Sequence, residues 1–403
     1  MHNAIYSLQH MLLFSFVLVN SQKMLTVMNK TFGIKYPLIL IPGLGGSQAY
    51  CEPKTSKQAF TAFSLWFNWF YLLLPERLAT YFNLKYDPVT YESHDADECK
   101  IDFPGWGETW SVEHLSQSSY ITYFHAIVSE LTKDDYYVRN FTIRGAPYDF
   151  RKAPGENMLF VQKMKDLVEE TYKNGMDRPV VLFGHSMGSL YTLNFLKHQT
   201  KEWKQKYIKA FVSVGAPLGG AVETLAFITH GSNFGVFFRS PYPYRDVFRS
   251  MSSPAALLPN AKLWSKEEHL ITTPNRKYTA HDYRAYFADS DYPTGYNVLL
   301  RSESSFDPLE DPQDVSELYC VYSSGLLTID QLIYKPPGLF RSAFPNQTPL
   351  IRYGDGDGTV NLRSLQVCNK WPNVKSFDLT GSLHLSILSD KRLIDLLKDE
   401  ITR

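Results

Sequence analysis

The sequence predicts an α/β fold, a mostly parallel sheet with helices on both faces, and three observations carry that prediction. Apolar runs alternate with amphipathic helical segments over much of the 403-residue chain. The runs are apolar at successive residues rather than at every second one, as expected of strands covered on both sides. One of them, Val180 to Phe183, breaks into Gly184-His185-Ser186-Met187-Gly188 and resumes with helical residues, a strand, a sharp turn and a helix in succession.

That turn is the chemical focus. In so tight an elbow a Cβ beside the serine would collide with strand or helix, which is why glycines flank it. The following helix aims free N–H groups at an oxyanion formed when the serine attacks an acyl carbon. A serine hydroxyl needs a base, and the base needs an acid to fix its tautomer. Chain order in folds of this type is serine, acid, histidine. Of the histidines after Ser186, His384 alone lies beyond the last strands, so it is the expected base. Acids cluster in Tyr353-Gly-Asp-Gly-Asp-Gly-Thr-Val360, where Asp355 and Asp357 are both candidates and elementary chemistry does not choose. The same loop is no calcium loop, since Thr359, Val360 and Gln366 replace the fifth, sixth and twelfth residues of that pattern.

Taken in order, residues 1–21 read as a signal peptide, with an apolar run from His2 to Val19 too short to span a bilayer. Sequons at Asn29, Asn140 and Asn346 agree with a secretory route and are expected glycosylation sites. Tyr36 to Ile41 is a buried strand feeding Pro42-Gly43-Leu44-Gly45-Gly46-Ser47, a candidate wall of the oxyanion hole. Residues 50–98 interrupt the alternation with an aromatic stretch from Ala62 to Pro75, apolar nearly all round if helical. Trp66, Phe67, Trp69 and Phe70 in it either pack inside or lie against lipid headgroups, and the membrane-binding reading is the expectation carried forward. Helices over 123–131 and 157–172 flank a strand-like 139–143; the Val180 strand, the elbow helix and a buried strand in the run 208–217, with a breaker at its carboxyl end, follow. Between 221 and 314 the alternation is lost in a Pro-, Ser- and Tyr-rich stretch that reads as a long loop with exposed aromatics, either a lid or a disordered segment. The sheet is expected to resume with strands at 318–322, 349–353 and 374–379, closed by a helix over 391–401.

Lys and Arg balance Asp and Glu at 41 each, so no basic field attracts nucleic acid. Aromatics reach 15%, which suits a protein meeting apolar material. Neither a phosphate-binding GxxxxGK[ST] nor a dinucleotide GxGxxG is present, and no CxxC offers metal-ligand spacing, so neither cofactor nor metal is expected. Four cysteines, Cys51, Cys99, Cys320 and Cys368, permit three pairings in an oxidising compartment.

Longer phrases carry a resemblance. Ile41-Pro-Gly, Phe103-Pro-Gly-Trp-Gly-Glu-Thr109, Arg144-Gly-Ala-Pro-Tyr-Asp149, Gly184-His-Ser-Met-Gly188, Phe211-Val-Ser-Val-Gly-Ala-Pro217 and Gly354-Asp-Gly-Asp-Gly-Thr-Val-Asn361 run in order over most of residues 36–400. Together they resemble the lecithin:cholesterol acyltransferase family, and within it the lysosomal phospholipase A and acyltransferase branch. The resemblance implies an α/β-hydrolase catalytic domain over 31–403, with a membrane-binding insertion at 50–98 and a cap or lid at 221–314. It implies a triad of Ser186, Asp357 and His384, oxyanion amides at Leu44 and Met187, and a disulfide between Cys320 and Cys368. Only Cys51 of the family's other cysteine pair is in place, which leaves Cys99 as a substitute partner or both thiols free. Leu44 stands where the lysosomal branch has Asp, so an acid-tuned optimum does not carry over. The implied activity is transfer of a fatty acyl group from glycerophospholipid to water or a lipophilic alcohol. Implied partners are a phospholipid membrane or lipoprotein surface and the acceptor alcohol, with the chain a monomer, either lysosomal or extracellular. Alternatives are a phosphatidylcholine-sterol acyltransferase, or a lipid-binding protein of the same fold without catalysis.

Overall fold

Six apolar runs pair side by side into one parallel sheet, which a computed structural model describes together with residues 34–54, 62–87, 93–116, 121–232 and 240–403 as a whole. The strands are β1 (Leu38–Ile41), β2 (Ile143–Gly145), β3 (Val180–His185), β4 (Ile208–Val214), β5 (Glu317–Tyr322) and β6 (Val374–Asp378), in spatial order β6-β5-β4-β3-β1-β2. Every pairing is parallel. The signal peptide expected over 1–21 and the sequon at Asn29 lie outside the described residues.

Alternation along these strands feeds two separate cores, the reason their sequences are apolar throughout. Ile39, Ile41, Leu182 and Phe211 point to one face, against α1 (Met158–Asn174) and α2 (Met187–Lys197). Leu38, Leu40, Val181, Phe183 and Val212 point to the other, against the helix His125–Leu131 and the C-terminal segment carrying Leu393, Leu397 and Ile401. Cys320 and Cys368 are joined in a disulfide that ties β5 to the turn before β6, as the resemblance implies.

The insertion after β1 is not the continuous helix that its composition suggests. Phe63–Trp66 is a strand, and it forms a three-stranded antiparallel sheet with Ala49–Pro53 and Cys99–Asp102. Cys51 and Cys99 are bonded across that sheet, which closes the question their spacing left open. Helices Trp69–Leu72 and Pro75–Phe82 follow.

This change of period corrects the expected membrane contact at Trp66 and Phe67. At only 6% and 7% exposure, both rings are core residues. Trp66 stacks on Phe82 with centroids 5.9 Å apart, meets Phe150 at 5.6 Å, and donates its indole N–H to the Gly45 carbonyl at 2.8 Å. Trp69 and Phe70 sit in the first turn of the short helix, whose N-terminus Asn68 caps through the Phe70 amide at 2.9 Å, and both are half exposed.

Among the described residues of 221–314 much of the chain is helical rather than loop-like, and most of the aromatics there are inside. Helices α3 (Glu223–Thr229) and α4 (Tyr242–Ser250) are followed by Ser253–Ala256, Tyr283–Asp289 and Thr294–Ser305. Trp264, Tyr283, Tyr286 and Phe287 build a third core with Leu225, Ile228 and Leu332. Here too lies a second correction: the strand expected at 349–353 does not join the parallel sheet. Leu350–Gly356 pairs antiparallel with Leu326–Ile333 in a separate four-stranded sheet with Ile271–Thr272 and Lys277–Tyr278. The short apolar run looked like a buried strand, but sequence period cannot say which sheet receives it.

Candidate active site

Ser186 follows β3 directly with φ 54° and ψ −130°, a positive-φ conformation that L residues adopt only under constraint. The constraint is visible at Gly188, where a Cβ would sit 2.2 Å from the Ile41 carbonyl oxygen of β1. The elbow can form only because that side chain is absent.

Three loops at the carboxyl ends of the strands bring distant side chains to this serine. His384 Nε2 lies 2.9 Å from Ser186 Oγ, and His384 Nδ1 lies 2.6 Å from Asp357 Oδ2. Asp357 is fully buried and accepts the amides of Val360 at 2.8 Å and Thr359 at 3.0 Å on its other oxygen. The His384 amide also donates to the Asp357 carbonyl at 2.9 Å, which clamps one loop to the other. Asp355 is directed elsewhere: exposed, it accepts the Gly325 amide at 2.7 Å. Burial works against a charge on Asp357, yet the His384 charge and hydrogen bond, with the two amides, hold its pKa below the ordinary value. For His384 burial again opposes the charge, and Asp357 followed by Glu223 outweighs it, so the imidazole is raised.

Leu44 stands in the turn closed by the Gly46 amide on the Gly43 carbonyl at 3.0 Å, and Met187 is the first residue of α2. The turn lies directly on the elbow, since a Cβ on Gly43 would sit 2.7 Å from that of Ser186. The predicted set of Ser186, Asp357, His384, Leu44 and Met187 is therefore gathered at one place. Asn140 and Asn346 are both exposed, whereas Trp69 and Phe70 belong to the insertion.

Sequence reading missed two features. The first is a buried chain of hydrogen bonds behind the serine. The Gly43 amide donates to the Tyr123 hydroxyl at 2.9 Å, that hydroxyl meets His185 Nδ1, and His185 Nε2 lies 2.9 Å from the His384 carbonyl oxygen. A carbonyl only accepts, so Nε2 carries the proton and Nδ1 accepts from Tyr123. One directional chain thus links the oxyanion turn to the loop of the base. The second is Glu223, half-buried at the start of α3. Its loop docks on the acid loop through Gly219 N–H to Ser364 Oγ at 2.9 Å and Val222 N–H to Asn361 Oδ1 at 3.0 Å. Burial, with Asp357 adding to it, pushes its carboxyl up to about 7, while His384 and Thr359 pull the other way.

Among the described residues, Glu113, His114 and His125 have ligand atoms within 4.8 Å of one another. The Glu113 carboxylate is already held by Arg139 at 3.0 Å and Thr109 at 2.6 Å, and that guanidinium opposes a cation. No helix of the described residues is long and apolar enough to cross a membrane.

A parallel sheet with a strained serine elbow, a buried acid and a late histidine defines an α/β hydrolase. A solved Tle4-Tli4 complex shares the fold at a TM-score of 0.50, covering 89% of this chain and 96% of that one at 13% identity. The lecithin:cholesterol acyltransferase family model matches residues 62–307 and 300–382, and the chain belongs to that family. It is 36% identical over 380 residues to the lysosomal phospholipase A and acyltransferase of Homo sapiens, covering 90% of this chain and 89% of the relative. Against the phosphatidylcholine-sterol acyltransferase of Rattus norvegicus it is 32% identical over 378 residues, covering 89% and 83%.

Proposed function

We propose that the protein is a serine lipid acyl hydrolase and O-acyltransferase of the phospholipase A type. Ser186 Oγ attacks a fatty acyl ester of a glycerophospholipid while His384 Nε2 takes its proton, and Asp357 holds the imidazole in the required tautomer. The Leu44 and Met187 amides receive the oxyanion. The tetrahedral intermediate collapses, the lysophospholipid leaves with the proton from His384, and the acyl-serine passes to water or a lipophilic alcohol by the reverse sequence. The observation that carries this reading is the continuous line from Ser186 through His384 to Asp357. Greater identity to the phospholipase A relatives than to the sterol acyltransferases favours that branch.

Mixed-acyl phosphatidylcholine vesicles, incubated with and without a long-chain primary alcohol, test it. Free fatty acid and lysophospholipid are expected, with part of the acyl group diverted to a new ester when the alcohol is present. Binding of the vesicles without any acyl release would contradict the reading and favour a silent lipid-binding protein.

Glu223 gives the reaction a pH signature. His384 is faced by Asp357, by Glu223 and by the neutral His185, and only the two carboxylates favour its protonated form. Glu223→Gln removes one of them, so the imidazole should lose its proton more readily. Because the Glu223 carboxyl itself titrates at about 7, it is only partly ionised over the acid limb, so kcat/KM there is expected to move to lower pH by about half a unit at most. A limb that stays in place or moves up would show that Glu223 does not act on the base.

Two disulfides support passage through an oxidising compartment, and the exposed sequons at Asn140 and Asn346 fit glycosylation there. On this reading the protein passes through the secretory pathway, with a lysosomal or extracellular destination. The half-exposed Trp69 and Phe70 are the membrane-binding residues of the insertion.

A further inference from the structure

Between Asp330 and Asp355 the chain contains no acidic residue; Arg352 is paired with Asp330 at 3.1 Å, while Lys335 and Arg341 stand exposed beside the turn. At the middle of this stretch Gly338 and Arg341 close a two-residue turn, with N–H to carbonyl distances of 2.9 and 3.1 Å in the two directions. The residues at its tip are Leu339 and Phe340, which are 91% and 98% exposed. The turn is braced rather than loose: Gln347 Nε2 donates to the Lys335 and Ser342 carbonyls at 2.7 and 2.9 Å, and Arg341 donates to Pro336 at 3.2 Å. An apolar pair held in water by an ordered turn, with cationic side chains beside it, is the arrangement of a membrane-surface contact.

We infer that the Leu339–Phe340 turn is a second lipid-surface contact, a wedge entering the headgroup layer of an anionic phospholipid membrane, distinct from the insertion that carries Trp69 and Phe70. Two side chains at the tip of a narrow turn offer far too little area for a stable protein partner, which needs roughly 800 Å² per side. They suit shallow insertion, where flanking cations meet anionic headgroups as the apolar tip leaves water. Both contacts stand on the same element. Tyr244 of α4 donates to the Leu72 carbonyl beside Trp69 and Phe70, and the next residue, Arg245, donates to Asn346 Oδ1 at 2.7 Å near the base of the turn. The inference rests on the lipid-acyl reading of the active site, because it supplies the surface on which that substrate lies.

The test uses the full chain with Phe340→Cys labelled by a polarity-sensitive dye, the four native cysteines being paired. Vesicles of phosphatidylcholine with phosphatidylserine are expected to shift the dye emission to the blue; phosphatidylcholine alone should do so less. Leu339→Ser with Phe340→Ser should bind the anionic vesicles at least about tenfold more weakly and keep wild-type hydrolysis of a short soluble ester. Asn346→Gln, measured alongside, should bind as tightly as wild type, so that a glycan at this sequon is not what the double variant reports. An unshifted dye, or a double variant that binds as wild type does, overturns the inference even if acyl release from vesicles is normal. A shifted dye without any acyl release would instead leave the turn as a lipid contact and overturn the catalytic reading.

Discussion

Replacing Ser186 with alanine is expected to lower acyl release from phospholipid vesicles by about four to six orders of magnitude while leaving the melting temperature close to wild type. The hydroxyl is the atom that becomes the acyl carrier, and no other group at the elbow can replace it. The side chain otherwise makes one polar contact, to His384, so its removal should cost the fold little. Because the three residues act as a unit, Asp357→Asn should reduce turnover by about 10⁴, and the double variant should be scarcely worse than Ser186→Ala alone. A fluorophosphonate probe gives an independent reading, since it labels only an activated serine. Labelling of the wild type and none of the alanine variant is the expected pair. If the alanine variant retained near wild-type release, the assignment would be wrong.

The second large effect is structural. Trp66→Ser with Phe67→Ser should melt at a much lower temperature and lose vesicle and soluble-ester activity together. Each ring leaves a cavity whose cost is about 3–5 kcal/mol, against a total stability of about 5–15 kcal/mol for a typical domain. Trp66 also fixes the Gly45 carbonyl in the turn that bears Leu44, so partial survival would still leave a distorted oxyanion site. A variant with normal melting and normal soluble-ester activity, but poor vesicle turnover, would return these rings to the membrane surface.

That pair of residues shows where sequence reading ran out. From Ala62 to Pro75 nearly every residue is apolar, so no period distinguishes a buried strand from a lipid-facing helix, and only the pairing with Ala49–Pro53 decides it. By contrast the parallel strands were legible, because continuous apolar runs bounded by glycine and proline have few other uses. The serine elbow was legible for the same local reason. Choosing Asp357 over Asp355 needed the resemblance, as Asp355 still pairs inside the strand Leu350–Gly356 while Asp357 lies just past its end, a difference that only the strand's placement reveals. Tyr123 and Glu223 left no local mark: each acts on a group 62 or more residues away along the chain, and long-range placement is what a helical pattern omits.

The hydrogen-bond chain behind Ser186 also couples the site to acidity through folding itself. Burial, with His384 beside it, pushes His185 down to about 3, whereas an unfolded chain would protonate it near 6.5. Its contribution to stability is therefore complete above about pH 6.5 and drains away as pH falls toward 3, a loss of about 2 kcal/mol by pH 5. His384 runs the other way: raised by Asp357, it adds stability below its unfolded pKa and surrenders it as pH rises through the folded value. Two imidazoles joined through one backbone carbonyl thus tilt the pH–stability curve in opposite senses, so acidification tightens the Asp357–His384 clamp while loosening the scaffold that holds it in place.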